Sequence, residues 1–431
     1  MIQAVWLIGV LIFLGLLFLI EKKIRARYEL SAESSRKFIH AGIGVVTATF
    51  PFYFTDNWPV VILTFSSIGL LIFVRIYLKD TLGSALHGVE RMSIGEFVFP
   101  LGILVCWVLS HEKGLYYSIS ILVLTFADAF AALIGVKYGR IKYSTKEGFK
   151  SWEGSLAFFI TAFLCVHIPL LIASKIGRLE CIMISIMVGF IIMLLEAFSW
   201  RGLDNLFIPI TTLFLLIRYE KQSAQILLVK LIVLFALLLF VYLLRKKSSL
   251  DDSSLFAAAL VIYLTFVLGG NYWALAPAIV FVSYQWCFPT EVQNSHNEHD
   301  IVLLLYIAVP ALIWLVFYQI APSEKYFSVF VICFLNELVC LGFSRIIYLN
   351  ENISGFHAAV RASGISLLLF VPYFFILTHA ASLLLIIFAF ASGFLIHLLY
   401  GQMKREPVTT RRWILQTLVC FGLSVFGLIL L

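Results

Sequence analysis

A chain of 431 residues that is 62% hydrophobic and 13% charged, with a mean hydropathy of +1.01, excludes a water-soluble globular protein, and for most of its length the solvent is lipid. Its formal charge of +7 is explained by orientation in a membrane and calls for no nucleic-acid partner. The seven cysteines are odd in number, scattered through apolar runs and without a Cys-x-x-Cys spacing, which argues against a disulfide framework.

A span needs about 20 apolar residues, so the apolar runs predict an all-α, polytopic integral membrane protein of roughly 14–16 transmembrane helices. Residues 2–20 lack a basic leader and a small-residue cleavage site, and read as a retained span. If the amino terminus starts outside, the inward loops are 21–37, 75–95, 137–151, 200–205, 245–253, 289–300, 345–363 and 401–412. These hold 24 of the 31 Lys and Arg residues, as the positive-inside rule requires. Segment 137–151 then lies in the cytoplasm, where nucleotide is available.

In chain order, the first polar signal is Arg36, Lys37 and His40 at the start of the second span. Arg36 and His40 are one helical turn apart and share a face. The two cations read readily as an ordinary inner membrane flank, and His40 equally as a ligand or as a packed ring. After a loop containing Arg91, Glu96 stands at the threshold of a run that also holds Pro100 and Gly102. A helix broken there frees backbone groups to line a polar cavity, and the plainer alternative is a capping acid with an ordinary kink.

Residues 126–155 are the centre of the chain. Asp128 lies within an apolar run, where insertion of an acid costs about 2.5–3.5 kcal/mol, and so it is a candidate functional residue. Ala129, Ala131, Ala132 and Gly135 come next as a small-residue face for helix packing. Beyond them is a glycine-punctuated basic loop with Lys137, Arg140, Lys142, Lys146 and Lys150. The chain re-enters the membrane through Ser151, Trp152, Glu153, Gly154 and Ser155. Asp128 suits Mg²⁺, which takes one or two carboxylates plus phosphate oxygens. Glu153 and the exposed N–H groups of a helix start suit the cation and a phosphate, or serve only as a cap. Glu196 closes another span and leads through Arg201 to Asp204 and Asn205. The short run after them, with Pro209 inside, reads as a re-entrant or cavity-lining helix.

The polar hinge at 248–254 sets the expected boundary between two modules, 1–247 and 248–431. The second has fewer intramembrane charges, with Glu337 beside Asn336 as the exception, and a polar loop with His296, His299 and Asp300 reads as solvated.

Taken together, RKFIH at 36–40, the GEFVFPLG run ending at 102, DAFAALIGVKYG at 128–139, KSWEGS at 150–155 and GLDNLFIP at 202–209 resemble the CTP-dependent polyprenol kinase family, which includes dolichol kinase, phytol kinase and yeast-type diacylglycerol kinase. The resemblance implies Mg²⁺-dependent transfer of the terminal phosphate of CTP to a lipid alcohol on the cytoplasmic side of a multi-pass membrane protein. On that reading Asp128 and Glu153 hold the metal, and Arg140, Lys142, Lys150, Ser151, Gly154, Ser155, Arg36 and Lys37 cradle the nucleotide. Glu196, Asp204 and His40 join in catalysis, and Glu96, Arg91 and Asn205 complete the site. Residues 253–431 more faintly resemble the phytyl-phosphate kinase-like membrane family, and Leu335 stands where that family carries its acid. A cytidylyltransferase acting on a lipid phosphate and a membrane transporter are the rival readings.

Overall fold

The computed structural model describes residues 2–29, 32–77, 94–110, 113–145, 148–198, 202–244, 252–286, 301–349, 353–403 and 410–431. Arg91, Lys146, Arg201 and the 296–300 run lie outside these residues. Among the described residues, eight helices are long and apolar enough to cross a membrane and six shorter apolar helices accompany them. The all-α polytopic architecture expected from composition is the one observed. Internal contacts divide the chain into two compact units, Met1–Val233 and Leu234–Leu431.

The first unit contains α1 (Ile2–Tyr28), α2 (Ala32–Ala48), α3 (Trp58–Tyr77) and α4 (Gly95–Ser110). Then come α5 (Gly114–Leu122), a π-helical turn (Val123–Ala127) and α6 (Asp128–Tyr138), which run on as one 25-residue rod, Gly114–Tyr138. A hairpin of β1 (Lys142–Thr145) and β2 (Gly148–Ser151) is next, then α7 (Trp152–Ala173), α8 (Arg178–Phe198) and α9 (Asp204–Tyr219). The start of α10 (Ala224–Leu244) completes the unit.

The core of this unit forms where the rod packs against α2, α7 and α9, with Tyr117, Phe158 and Tyr219 fully enclosed. Glycines set the closest approaches. A Cβ at Gly154 would lie 3.1 Å from the Ala131 carbonyl oxygen and 3.2 Å from the Gly135 Cα, so α6 and α7 cross backbone to backbone. A Cβ at Gly44 would collide with Thr125 Oγ1, so α2 sits directly on the π turn.

Two expectations are corrected. The basic loop contains a β-hairpin, in which Tyr143 pairs with Lys150 and Lys142 with Ser151. Its alternating residues divide between two faces, and the strands Lys142–Thr145 and Gly148–Ser151 are ordered by the ladder. The helices containing Pro100 and Pro209 are also continuous. Proline removes the N–H that would bond the carbonyl four residues earlier. In α9 that carbonyl belongs to Asn205, and it is seated instead against Gly102, where any Cβ would overlap the oxygen. Helix α4 packs closely on α9 there, and α9 runs unbroken from Asp204 to Tyr219.

The second unit comprises α11 (Asp252–Gly269), α12 (Asn271–Trp286), α13 (Ile301–Ile320), α14 (Glu324–Leu349), α15 (Gly355–Leu369), the short α16 (Val371–Phe374), α17 (His379–Met403) and α18 (Thr410–Leu430). Its axis is α14, which packs on α12, α13, α15, α17 and α18 and is almost wholly buried.

Candidate active site

Asp128 is the first residue after the π turn. An extra residue in that turn rotates the remainder of the rod relative to a regular helix, and such turns recur at functional sites. Here the rotated carboxylate meets α2. Lys37 Nζ donates to Asp128 Oδ2 at 2.5 Å, and His40 Nε2 lies 3.8 Å from the same oxygen. Lys37 and His40 are nearly one turn apart on α2, and one face therefore serves one acid. Arg36 adds its charge to both Asp128 and His40. The His40 ring packs on Phe99 of α4, 4.2 Å between centroids, and its buried Nε2 has no hydrogen-bond partner.

A second ion pair joins the hairpin to the end of α8. Strand alternation points Phe149 outward, 77% exposed, and Lys150 inward. Lys150 Nζ donates to Glu196 Oε1 at 2.7 Å and also to the Glu196 carbonyl oxygen. Burial works against the Lys150 charge, but the Glu196 carboxylate outweighs it and holds the ammonium above its ordinary range. Tyr143, opposite Lys150 in the ladder, hydrogen-bonds through Oη with Ser155 Oγ at 2.8 Å.

Between the two pairs stands Asp204, the first residue of α9. The charges of Asp128, Lys150, Glu196 and Lys37 all act on it, and its buried Oδ1 has no hydrogen-bond partner. The turn from α8 into α9 passes through Gly202 at φ +81°, a conformation that side chains other than glycine rarely take. Asn205 Nδ2 donates to the Gly95 carbonyl at 3.0 Å, tying the start of α9 to the start of α4, where Glu96 occupies the first turn.

The structure thus gathers Arg36, Lys37, His40, Asp128, Lys150, Glu196 and Asp204, with Asn205 and Glu96 at the margin. It places other expected residues elsewhere. Glu153 accepts from the Ile141 N–H at 3.2 and 3.4 Å on the exposed side of the hairpin, with Arg140 beside it. Lys142 is exposed. Ser151 caps α7 by accepting from the Gly154 N–H at 3.1 Å, and Gly154 is occupied by the crossing with α6. Among the described residues no group of three or more His, Cys, Asp or Glu side chains converges as a ready metal site. The donor set still fits Mg²⁺, which needs only one or two protein carboxylates when phosphates complete its shell, and the unpartnered Asp204 oxygen beside Asp128 supplies that minimum.

Comparison with known proteins gives this arrangement a family. Over 184 residues the chain is 30% identical to phytol kinase of Synechocystis, covering 42% of this chain and 76% of that enzyme. The chain belongs to the phytol kinase family. Probable chloroplastic phytol kinases of Zea mays and Glycine max are each 26% identical, over 34% of this chain and 52% and 50% of theirs. No family model matches the chain, and no solved structure matches it.

Three contributors to the site in this family member were not expected from the sequence. Phe99 backs His40, Tyr143 faces along the hairpin with Lys150, and Gly44 seats α2 on the π turn. The glycines at 42 and 44, two residues apart just beyond His40, were the available signal for the last. Nothing in the local sequence announces the π turn.

Proposed function

We propose that the protein is a prenol-type lipid kinase that moves the terminal phosphate of CTP to a lipid hydroxyl, with its site on the cytoplasmic side. Membership of the phytol kinase family supports the lipid-alcohol acceptor, and the sequence resemblance supports CTP. The observation that carries the site is the two ion pairs, Lys37–Asp128 between helices and Lys150–Glu196 between the hairpin and α8, meeting around Asp204, whose buried Oδ1 has no hydrogen-bond partner.

Phosphoryl transfer asks a protein chiefly to position reactants and neutralise charge. Lys150, Lys37 and Arg36 converge from the hairpin and from α2, and they are the groups to bind the triphosphate. Asp128 and Asp204 would hold Mg²⁺, which neutralises phosphate charge when bound; Glu153, turned to Ile141, takes no part in this reading. The lipid hydroxyl oxygen attacks the terminal phosphorus as the bond to the bridging oxygen breaks, and CDP leaves. The hydroxyl proton passes to the open Nε2 of His40. The lipid tail needs only apolar walls between spans.

The test is the fate of label. Membranes containing the protein, given a prenol and CTP labelled at the γ phosphorus, are expected to yield labelled prenyl phosphate, whereas α label should remain in the nucleotide. Transfer of the α label to a lipid phosphate would replace the kinase by a cytidylyltransferase.

A further inference from the structure

The first unit carries a second charged site, at the opposite end of the helices that build the first. The rod Gly114–Tyr138 ends at the hairpin, and its 25 residues set Lys113 about 37 Å away along the axis. Helices α7 and α9 likewise start beside the candidate active site and finish at this far end, with Ser174, Lys175 and Ile176 after one and Glu220 and Lys221 after the other. These segments enclose an open cleft of about 420 Å³.

Among the described residues, Lys113, Lys175 and Lys221 line the cleft together with one acid, Glu220. Lys113 Nζ donates to Glu220 Oε2 at 2.5 Å and lies 5.3 Å from the centre of the Tyr116 ring, so the acid's charge is already matched. Lys175 and Lys221 are exposed and, among the described residues, leave the cleft with two uncompensated positive charges. Orientation in the membrane does not account for them. Only seven of the 31 Lys and Arg residues fall outside the inward loops, and five of those, Lys113, Lys175, Arg178, Arg218 and Lys221, cluster at this end of one unit. The positive-inside rule disfavours such a concentration on the outer side. Three lysines from three separate chain segments, around a cleft with both polar and apolar walls, match a phosphate-bearing anion.

We propose that this cleft binds a phosphate group on the face of the membrane opposite the candidate active site, presented either by an anionic phospholipid headgroup or by free phosphate. It needs nothing from the kinase reading.

The test uses the full chain purified in detergent and, separately, in nanodiscs. Binding of labelled inorganic phosphate is measured in detergent, and protection against thermal unfolding is measured in phosphatidylglycerol against phosphatidylcholine discs. Each is run on the parent, on Lys175→Glu/Lys221→Glu, on the milder Lys175→Gln/Lys221→Gln, and on Lys150→Ala to remove phosphate held at the candidate active site. The expected result is binding or protection that survives Lys150→Ala and weakens by about tenfold in both double variants. Protection by phosphatidylglycerol alone identifies a headgroup, and retention of inorganic phosphate identifies the free anion. Equal behaviour of the parent and the charge variants toward both probes, or phosphate binding lost only in Lys150→Ala, would overturn the proposal.

Discussion

Each unit buries an acid in an apolar helix, and the two acids have different company. Asp128 in the first unit meets Lys37, His40 and the charge of Arg36, all within the face of one facing helix. Glu337 on α14 of the second unit lies among Cys333, Cys340 and Cys420, with one carboxylate oxygen that has no hydrogen-bond partner, beside Asn336, whose side-chain N and O are both unpartnered. Burial makes any acid conspicuous in a sequence. Opposite charges arriving from other helices are what prepare one to meet a cation and a polyphosphate. The first unit has that preparation and the second has a thiol-lined enclosure, and this contrast underlies assignment of phosphate transfer to the first.

Substitutions can break the contrast, and the largest effect is expected at its charged pole. Asp128→Asn keeps the shape but leaves Lys37 without its counter-charge. Transfer of γ label from CTP to a prenol in isolated membranes should fall by about 10³-fold. Undiminished transfer would show that the pairing on α2 is structural only. Lys150→Ala removes a phosphate-facing cation and the counter-charge that Glu196 receives from the hairpin, and about 100-fold loss is expected in the same assay, with a raised KM for CTP. Lys150→Arg should restore part of it.

A smaller effect sharpens how the acid is held. Gly44→Ala forces a methyl group into the space of Thr125 Oγ1. It should shift α2 from the π turn, costing about 1–3 kcal/mol of stability and roughly tenfold in rate. The double variant Gly44→Ala/Thr125→Ala should recover both, as read by thermal unfolding and by label transfer. The smallest effect is expected in the second unit, where Glu337→Gln should leave the transfer rate within about twofold. A loss as deep as that of Asp128→Asn would bring the second unit into the chemistry and dissolve the contrast.

The membrane architecture was legible because hydropathy reports the solvent directly, and the eight long and six shorter apolar helices among the described residues are its outcome. Asp128 was legible for a related reason, since a lone carboxylate in a span is too costly to be incidental. Its partners were less so. Lys37 lies 91 residues away and reads as an ordinary membrane flank, and Glu196 lies 46 residues from Lys150. Only packing decides such distant pairings. The Glu153 expectation rested on its place in a helix start, but the same location put it within reach of the Ile141 N–H, a local bond that no spacing rule ranks against a ligand role. Pro209 misled for a physical reason as well. Local sequence states the hydrogen bond that proline removes, while the glycine that receives the released carbonyl sits on another helix.

The π turn at Val123–Ala127 has one more consequence. Rewinding that turn as an ordinary helix, with no residue removed, would swing everything beyond it by roughly 100°. The acid would then face a different neighbour, though no side chain of the site had been altered. Where the register of one rod sets the reactive face, a change in winding alone can create such a centre or erase it.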